Sequence, residues 1–239
     1  MYICSNKILL NTTKMKIIYI SIFFMLISSN LQAQQIELGQ IARVSRFNKT
    51  IEEVNNGKQK IKYSDITGIP YYKVGFMRAK VGDTSSYIPI RYNTFLDTIE
   101  ILSDSSVYEI PREESYPKFT IEETNEKLIL VKSRDEYAGY FFELAGGKNK
   151  LLKKVITKFH EPVPAPNTLI AGYPARFETL KPLYFIQTET GLVKIPKNAK
   201  DLATSFPDQK DAVNEFVKTN KTKMNSEADL IKLVQFLNK

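Results

Sequence analysis

The sequence has one cysteine, Cys4, and one histidine, His160. It therefore has no cysteine pair for a disulfide and no set of nitrogen and sulfur ligands for a conventional zinc site. No nucleophile elbow is present. Gly146-Gly147 is followed by a strand pattern, where a phosphate-binding loop would need a helix and a Lys-Ser/Thr step. Glu113-Glu114 and Glu122-Glu123 are sequence neighbours, so on a strand each pair points to opposite faces and reads as solvated charge. Asp135-Glu136 falls in a turn and reads the same way. His160, in "KFHEPVPAP", sits where a strand runs into an extended proline segment and reads as a solvated strand end. These absences leave no metal and no cofactor to expect and argue against an enzyme.

Long apolar runs are missing too. Residues 17–27 form the main one, well short of the roughly 20 residues a membrane-spanning helix needs. Lys14 and Lys16 precede it, and Ser28, Ser29 and Asn30 lead from it into Leu31-Gln32-Ala33, the charge, apolar and small-residue order of a secretory signal peptide. We expect residues 1–33 to be that leader, with Met15 as an alternative start and cleavage after Ala33. Cys4 goes with the leader, so no cysteine remains at the cleavage point to carry a lipid. The expected product is soluble outside the cytoplasm, periplasmic or extracellular. Losing Lys7, Lys14 and Lys16 leaves 31 basic against 26 acidic residues, a net charge of +5 that calls for no nucleic-acid partner.

Residues 34–68 read as an irregular lead-in with one strand. After "GIP" the chain turns to short β-branched and aromatic runs broken by turn residues about every ten positions, the pattern of an antiparallel all-β region. Strands are predicted at 76–81, 87–92, 98–102, 107–110, 119–122, 128–132, 140–145, 151–159, 175–187 (bent at Pro182) and 192–195. The links are too short for helical crossovers, so neighbours should be antiparallel in a meander. Within "YIPIRYNTFLDTIEIL" the apolar residues alternate, predicting a hairpin with one buried and one wet face. Asn93 and Asp97 bracket its turn, where their side chains can replace turn hydrogen bonds. Phe95 and Leu96 at the tip read as ordinary turn residues or as a contact for a partner.

The last forty residues read as helices. Pro207-Asp208 and Asp211 give a start signal before the apolar face Ala212, Val213, Phe216 and Val217. Ser226 with Asp229 is a capping-box pattern before the apolar face Leu230, Ile231, Leu233, Val234 and Leu237. The predicted class is therefore α+β, mainly β: an antiparallel meander at 69–196, as a sheet, sandwich or partly open barrel, and then two or three helices at 197–239 docked on it.

One segment has a chemical direction. In "YAGYFFELAGGKNKLLKKVITKFH", Lys148, Lys150, Lys153, Lys154 and Lys158 follow Tyr137, Tyr140, Phe141 and Phe142 on the paired strand, so lysines and stacking rings could face an anionic glycan or lipid. The candidate ligand-binding residues are Tyr140, Phe142, Lys150, Lys153, Lys154 and Lys158. The competing reading is that these lysines guard a sheet edge against pairing with other chains.

The stretches "IPIRYNTFLDTIEI", "GYFFELAGGKNKLLKKVITKF", "PARFETLKPLYFI" and "DLIKLVQFLNK" resemble a widespread group of uncharacterised secreted proteins of the Bacteroidota, over most of the chain from about Ile69 onward. The resemblance implies a leader, a β-rich body and a short helical tail, and it brings no activity or site residue. Three functions follow in order: a non-enzymatic envelope protein that binds an envelope protein partner, a binder of anionic glycan or lipid, and an unrecognised hydrolase. Amino-terminal sequencing of the exported protein should begin at or near Gln34; an intact Met1 or Met15 in the membrane fraction would contradict the leader.

Overall fold

The computed structural model describes residues 43–44, 61–84, 86–112, 116, 118–133, 136–167 and 169–239, all within the unit Leu38–Lys239. The leader expected at 1–33, most of the lead-in, and Glu113, Glu114 and Asp135 lie outside the described residues.

The β-branched and aromatic runs form strands β1 (Arg43–Val44), β2 (Met77–Val81), β3 (Tyr87–Asn93), β4 (Thr98–Ser103), β5 (Ser106–Ile110), β6 (Lys118–Ile121), β7 (Lys127–Val131), β8 (Gly139–Ala145), β9 (Lys150–Lys154), β10 (Thr157–His160), β11 (Arg176–Thr179), β12 (Leu183–Thr188) and β13 (Gly191–Lys194). Helices α1 (Ala199–Thr204), α2 (Lys210–Asn220) and α3 (Glu227–Leu237) follow. The class is thus the predicted one, mainly β with helices at the end. Eleven strands make one antiparallel sheet in the order β1-β5-β4-β3-β2-β6-β7-β8-β9-β12-β13, not closed into a barrel, and β10 pairs with β11 apart from it.

The meander is broken twice. After β5 the chain returns to place β6 beside β2, and between β9 and β12 it leaves the sheet to build the β10–β11 hairpin. Two strands predicted as continuous, 151–159 and 175–187, are therefore each divided between sheets. At the first break the Thr157 amide bonds to the Thr94 carbonyl (3.1 Å) and the Leu180 amide to the Ile156 carbonyl (2.9 Å). At the second, Pro182 has no N–H to continue a ladder.

Apolar alternation sets the inner face of the sheet. Rings on β3 and β8 meet although β2, β6 and β7 lie between those strands: Tyr92 is 6.0 Å from Phe142 and 6.1 Å from Tyr140, and Phe119 of β6 is 6.2 Å from Tyr140. The sheet must curl for this to happen, as twisted sheets of many strands do.

The other face of β3–β4 is not wet, contrary to the alternation argument. Thr98 and Glu100 are both about 1 % exposed. Residues 70–72 run beside the end of β3, joined by the Tyr71–Asn93 bridge, and bring the Tyr71 ring to this face. The Arg91 guanidinium sits 3.7 Å from the Tyr71 ring centre while pairing with Glu100 at 2.7 Å.

The helices bury their apolar stripes on the far end of the sheet. Leu202, Ala203, Val213, Leu230, Leu233, Val234 and Leu237 pack with Leu151 of β9 and Ile186 of β12. Asn198 caps α1 through the Lys200 amide at 3.0 Å, and Ser226 caps α3 through the Asp229 amide at 3.3 Å. The reciprocal half of the predicted capping box is replaced: the Asp229 carboxylate accepts from the Lys223 amide at 3.0 Å. A clasp holds the end of α3, with the Asn238 side chain accepting from the Asn149 amide (2.7 Å) and donating to the Asn149 carbonyl (2.9 Å). Gly147, at φ 131°, leaves the room; a Cβ there would lie 2.4 Å from the Asn238 amide nitrogen.

Leu233 is fully buried in this layer, so Leu233→Ala should destabilise the protein by about 2–5 kcal/mol in urea unfolding. Phe216 is only partly buried and stacks on Phe236 at 4.6 Å, so Phe216→Ala should cost less.

Candidate functional site

The six candidate ligand-binding residues do not share one surface. Tyr140 and Phe142 are core rings, 0 % and 1 % exposed. Lys153 and Lys154 are adjacent on β9 and project to opposite faces. Lys153 pairs with Glu227 of α3 at 3.1 Å, whereas Lys154 is buried against Asp97 at 2.9 Å. Lys150 lies 3.6 Å from Glu143, and Lys158 is exposed on β10 opposite Glu178. Nor do the lysines of β9 guard an edge, because β9 is paired on both sides, with β8 and β12.

The sequence gives no hint of what Lys154 is doing. Asp97 ends the β3–β4 turn in the left-handed region, φ 54°, and its carboxylate collects charge and polarity from distant segments. It accepts from the Tyr92 hydroxyl at 2.6 Å and from the Tyr140 amide at 3.3 Å. It also meets the Lys154 ammonium at 2.9 Å and the Arg112 guanidinium at 3.1 Å. Arg112 donates as well to the Leu96 carbonyl (3.2 Å) and to the Asp97 carbonyl, and Lys154 donates to the Tyr140 carbonyl at 3.0 Å. Gly139, at φ 137°, is required here, since a Cβ would fall 1.8 Å from the Asp97 carboxylate.

A carboxylate offers about four lone-pair sites, and here four groups converge on them. Burial pushes the Tyr92 hydroxyl well above its ordinary pKa of 10.0; Asp97 adds to the rise and Arg112 opposes it. Tyr92 therefore stays a proton donor to Asp97. A carboxylate so engaged ties several backbone segments to one point.

A second buried set lies on the opposite face. Arg91 donates to Glu100 through Nε (3.1 Å) and a terminal nitrogen (2.7 Å), and the Asn93 amide donates to the other oxygen at 3.3 Å. Glu109 faces Glu100 across β4–β5, and the register sets Arg43 of β1 opposite Glu109. Asn93 also makes the predicted turn bonds, accepting from the Phe95 and Leu96 amides at 3.1 and 2.9 Å. Phe95 and Leu96 have a partner within the chain: they pack with Phe159, Phe177, Ala175 and Ile66 over the β10–β11 hairpin. Beneath them the Thr94 hydroxyl donates to the Pro70 carbonyl (3.0 Å) and lies 2.7 Å from that of Thr157, itself 3.1 Å from that of Thr179. Each hydroxyl has one proton, so Thr179 must donate to Thr157 and Thr157 to Thr94. His160 is 2.8 Å from Glu178 across the same hairpin.

Two features face outward. A cleft of about 530 Å³ opens between the β12–β13 end and the α2–α3 loop, with Leu183, Ile195, Pro196 and Met224 as apolar lining and Lys181 and Lys197 among the other residues around it. In its wall the Tyr184 hydroxyl, pushed up to about 12 by burial and then by Glu227, donates to Glu227 at 3.0 Å.

The second feature is an arm that extends the β10–β11 hairpin over residues 161–175. Val163 and Tyr173 exchange backbone hydrogen bonds of 2.9 and 2.8 Å, and Asn167 closes the tip by accepting from the Leu169 and Ile170 amides at 2.9 and 3.0 Å. Gly172 lets the two legs approach, because a Cβ would sit 2.4 Å from the Val163 carbonyl oxygen. Leu169 is 93 % exposed, Tyr173 64 %, Ile170 54 % and Val163 53 %, so four of the eight large apolar side chains exposed among the described residues lie on this arm. Scattered exposed apolar residues are normal; here four of them are gathered on one hairpin arm. The proline run was visible in the sequence, whereas its return leg and its exposure were not.

Among the described residues no helix is long and apolar enough to cross a membrane, and no group of three or more His, Cys, Asp or Glu could hold a metal ion. Asp97→Ala should destabilise by about 3–5 kcal/mol, because it breaks a buried ion pair by removing one partner and takes the acceptor from the Tyr92 hydroxyl and the Arg112 guanidinium; adding Lys154→Met should recover part of that loss in urea unfolding. No protein-family model, no curated protein and no solved structure matches the chain.

Proposed function

We propose that the chain is an exported, non-enzymatic envelope protein that acts as an interaction module, with the arm at 161–175 as its contact element. The observation that carries this reading is the placement of Val163, Leu169, Ile170 and Tyr173 in solvent on an arm whose two legs are tied by the Val163–Tyr173 backbone bonds. A pre-ordered element loses less conformational entropy on binding than a floppy loop does. The polar clusters support the same reading from the other side, since Asp97, Lys154, Arg91 and Glu100 are committed to contacts inside the chain. Export rests on the leader expected at 1–33.

The second reading, an anionic glycan or lipid bound through the segment from Tyr140 to Lys158, keeps support only from its exposed cations. Lys148 and Lys150 have side chains 68 % and 41 % exposed, though each stands near an acid, Glu189 and Glu143. Lys158 adds a third exposed cation.

A photo-crosslinking residue placed at position 169 in cells should give a discrete adduct in the envelope. The same residue at Val74, which is 67 % exposed and off the arm, should give none. Equal labelling at both positions, or at neither, would end the proposal that the arm is a contact element.

A further inference from the structure

The chain from Pro162 to Ala175 contains no Asp, Glu, Lys or Arg, although a quarter of all residues in the protein are charged. We infer that this arm is a lipid-insertion element, whose Leu169–Ile170 tip enters the headgroup and acyl boundary of a bilayer surface. The inference rests on the reading of the arm as a contact element and names what it contacts.

Three observations select a lipid surface over a protein groove. The first is the state of the backbone. An amide or carbonyl taken into lipid must already be satisfied, because no water is there to replace it. Four of the fourteen positions are proline, Pro162, Pro164, Pro166 and Pro174, and carry no N–H. The amides of Leu169 and Ile170 at the tip are bonded to Asn167, and those of Val163 and Tyr173 to each other's carbonyls. Eight of the fourteen positions thus have either no N–H or one already bonded within the arm, which lowers the cost of taking this stretch into a medium poor in hydrogen bonds.

The second is area. A stable specific protein interface buries about 800 Å² on each partner. Even an aromatic side chain buries only roughly 150–250 Å², so four side chains that are 53–93 % exposed fall short of that figure. Insertion into lipid needs no matching surface.

The third is the order of residues from tip to base. The aliphatic Leu169 and Ile170 are at the apex. Tyr173 stands one step down, where an amphipathic ring suits the membrane–water interface. Charge begins only at the base, with Lys158 and Arg176 set against Glu161 and Glu178. Because that base is balanced, insertion depends on apolar burial and little on attraction to anionic lipid.

The experiment is vesicle sedimentation with the purified protein, using phosphatidylcholine alone and phosphatidylcholine with a quarter phosphatidylglycerol. The protein should partition onto both, with little loss on raising salt. Leu169→Ser with Ile170→Ser should reduce partitioning by more than about tenfold, as expected for losing several buried methylenes. Val74→Ser should leave it unchanged, and all variants should keep the parent melting temperature because these side chains are in solvent.

The sequence has no tryptophan, so Leu169→Trp gives a single reporter whose emission should shift to the blue on adding vesicles. Emission that does not shift, together with protein left in the supernatant, overturns lipid insertion. If the residue at position 169 then cross-links one stoichiometric protein, the contact-element reading stands without lipid; if it cross-links nothing, both readings fall. Partitioning that requires phosphatidylglycerol and survives the tip variant would assign binding to surface lysines and also overturn the inference.

Discussion

The Asp97 carboxylate ties four stretches of chain to a single pair of oxygens. It joins the β3–β4 turn, the start of β8, the end of β9 and the return segment that carries Arg112. Two cations, a phenol and a backbone amide share one acid whose side chain is 19 % exposed. A buried ion pair of this kind adds little to stability compared with apolar packing, yet removing one partner is costly. What it adds is a geometric demand, since all four donors must reach two oxygens at once. Apolar rings such as Tyr92, Phe119 and Phe142 would tolerate several packings, whereas the carboxylate is satisfied in one.

Strands were legible because alternation and β-branching are local properties. The hairpin from Tyr87 to Ser103 could be placed from its Ile residues, and Asn93 makes the turn bonds its position suggests. Helices were legible from caps and apolar spacing for the same reason. What could not be read depends on partners far away in sequence. Glu100 looks like a solvated strand residue until Arg91, with the Tyr71 ring stacked on it, pairs with it, and Lys154 looks like one lysine among many until Asp97, fifty-seven residues earlier, is beside it. Periodicity also could not show that β9 and β10 belong to different sheets, because Val155 and Ile156 continue the apolar pattern across the break.

The lysine-rich segment shows why composition misleads about sites. Five lysines in eleven residues suggest one patch, but a strand sends neighbours to opposite faces, and each face here meets a different acid. The arm shows the reverse. Its residues are individually unremarkable, and only the pairing of Val163 with Tyr173 turns them into a projecting element.

The ends of the large sheet are short. Among the described residues it finishes at β1, two residues long, and at β13, four residues long between Gly191 and Pro196. An open sheet of eleven strands would otherwise offer a long row of free backbone groups on which a second copy could add itself. Among the described residues, end strands this short, the second closed by Pro196, offer a poor template for strand addition, the step by which a sheet is extended into a fibril.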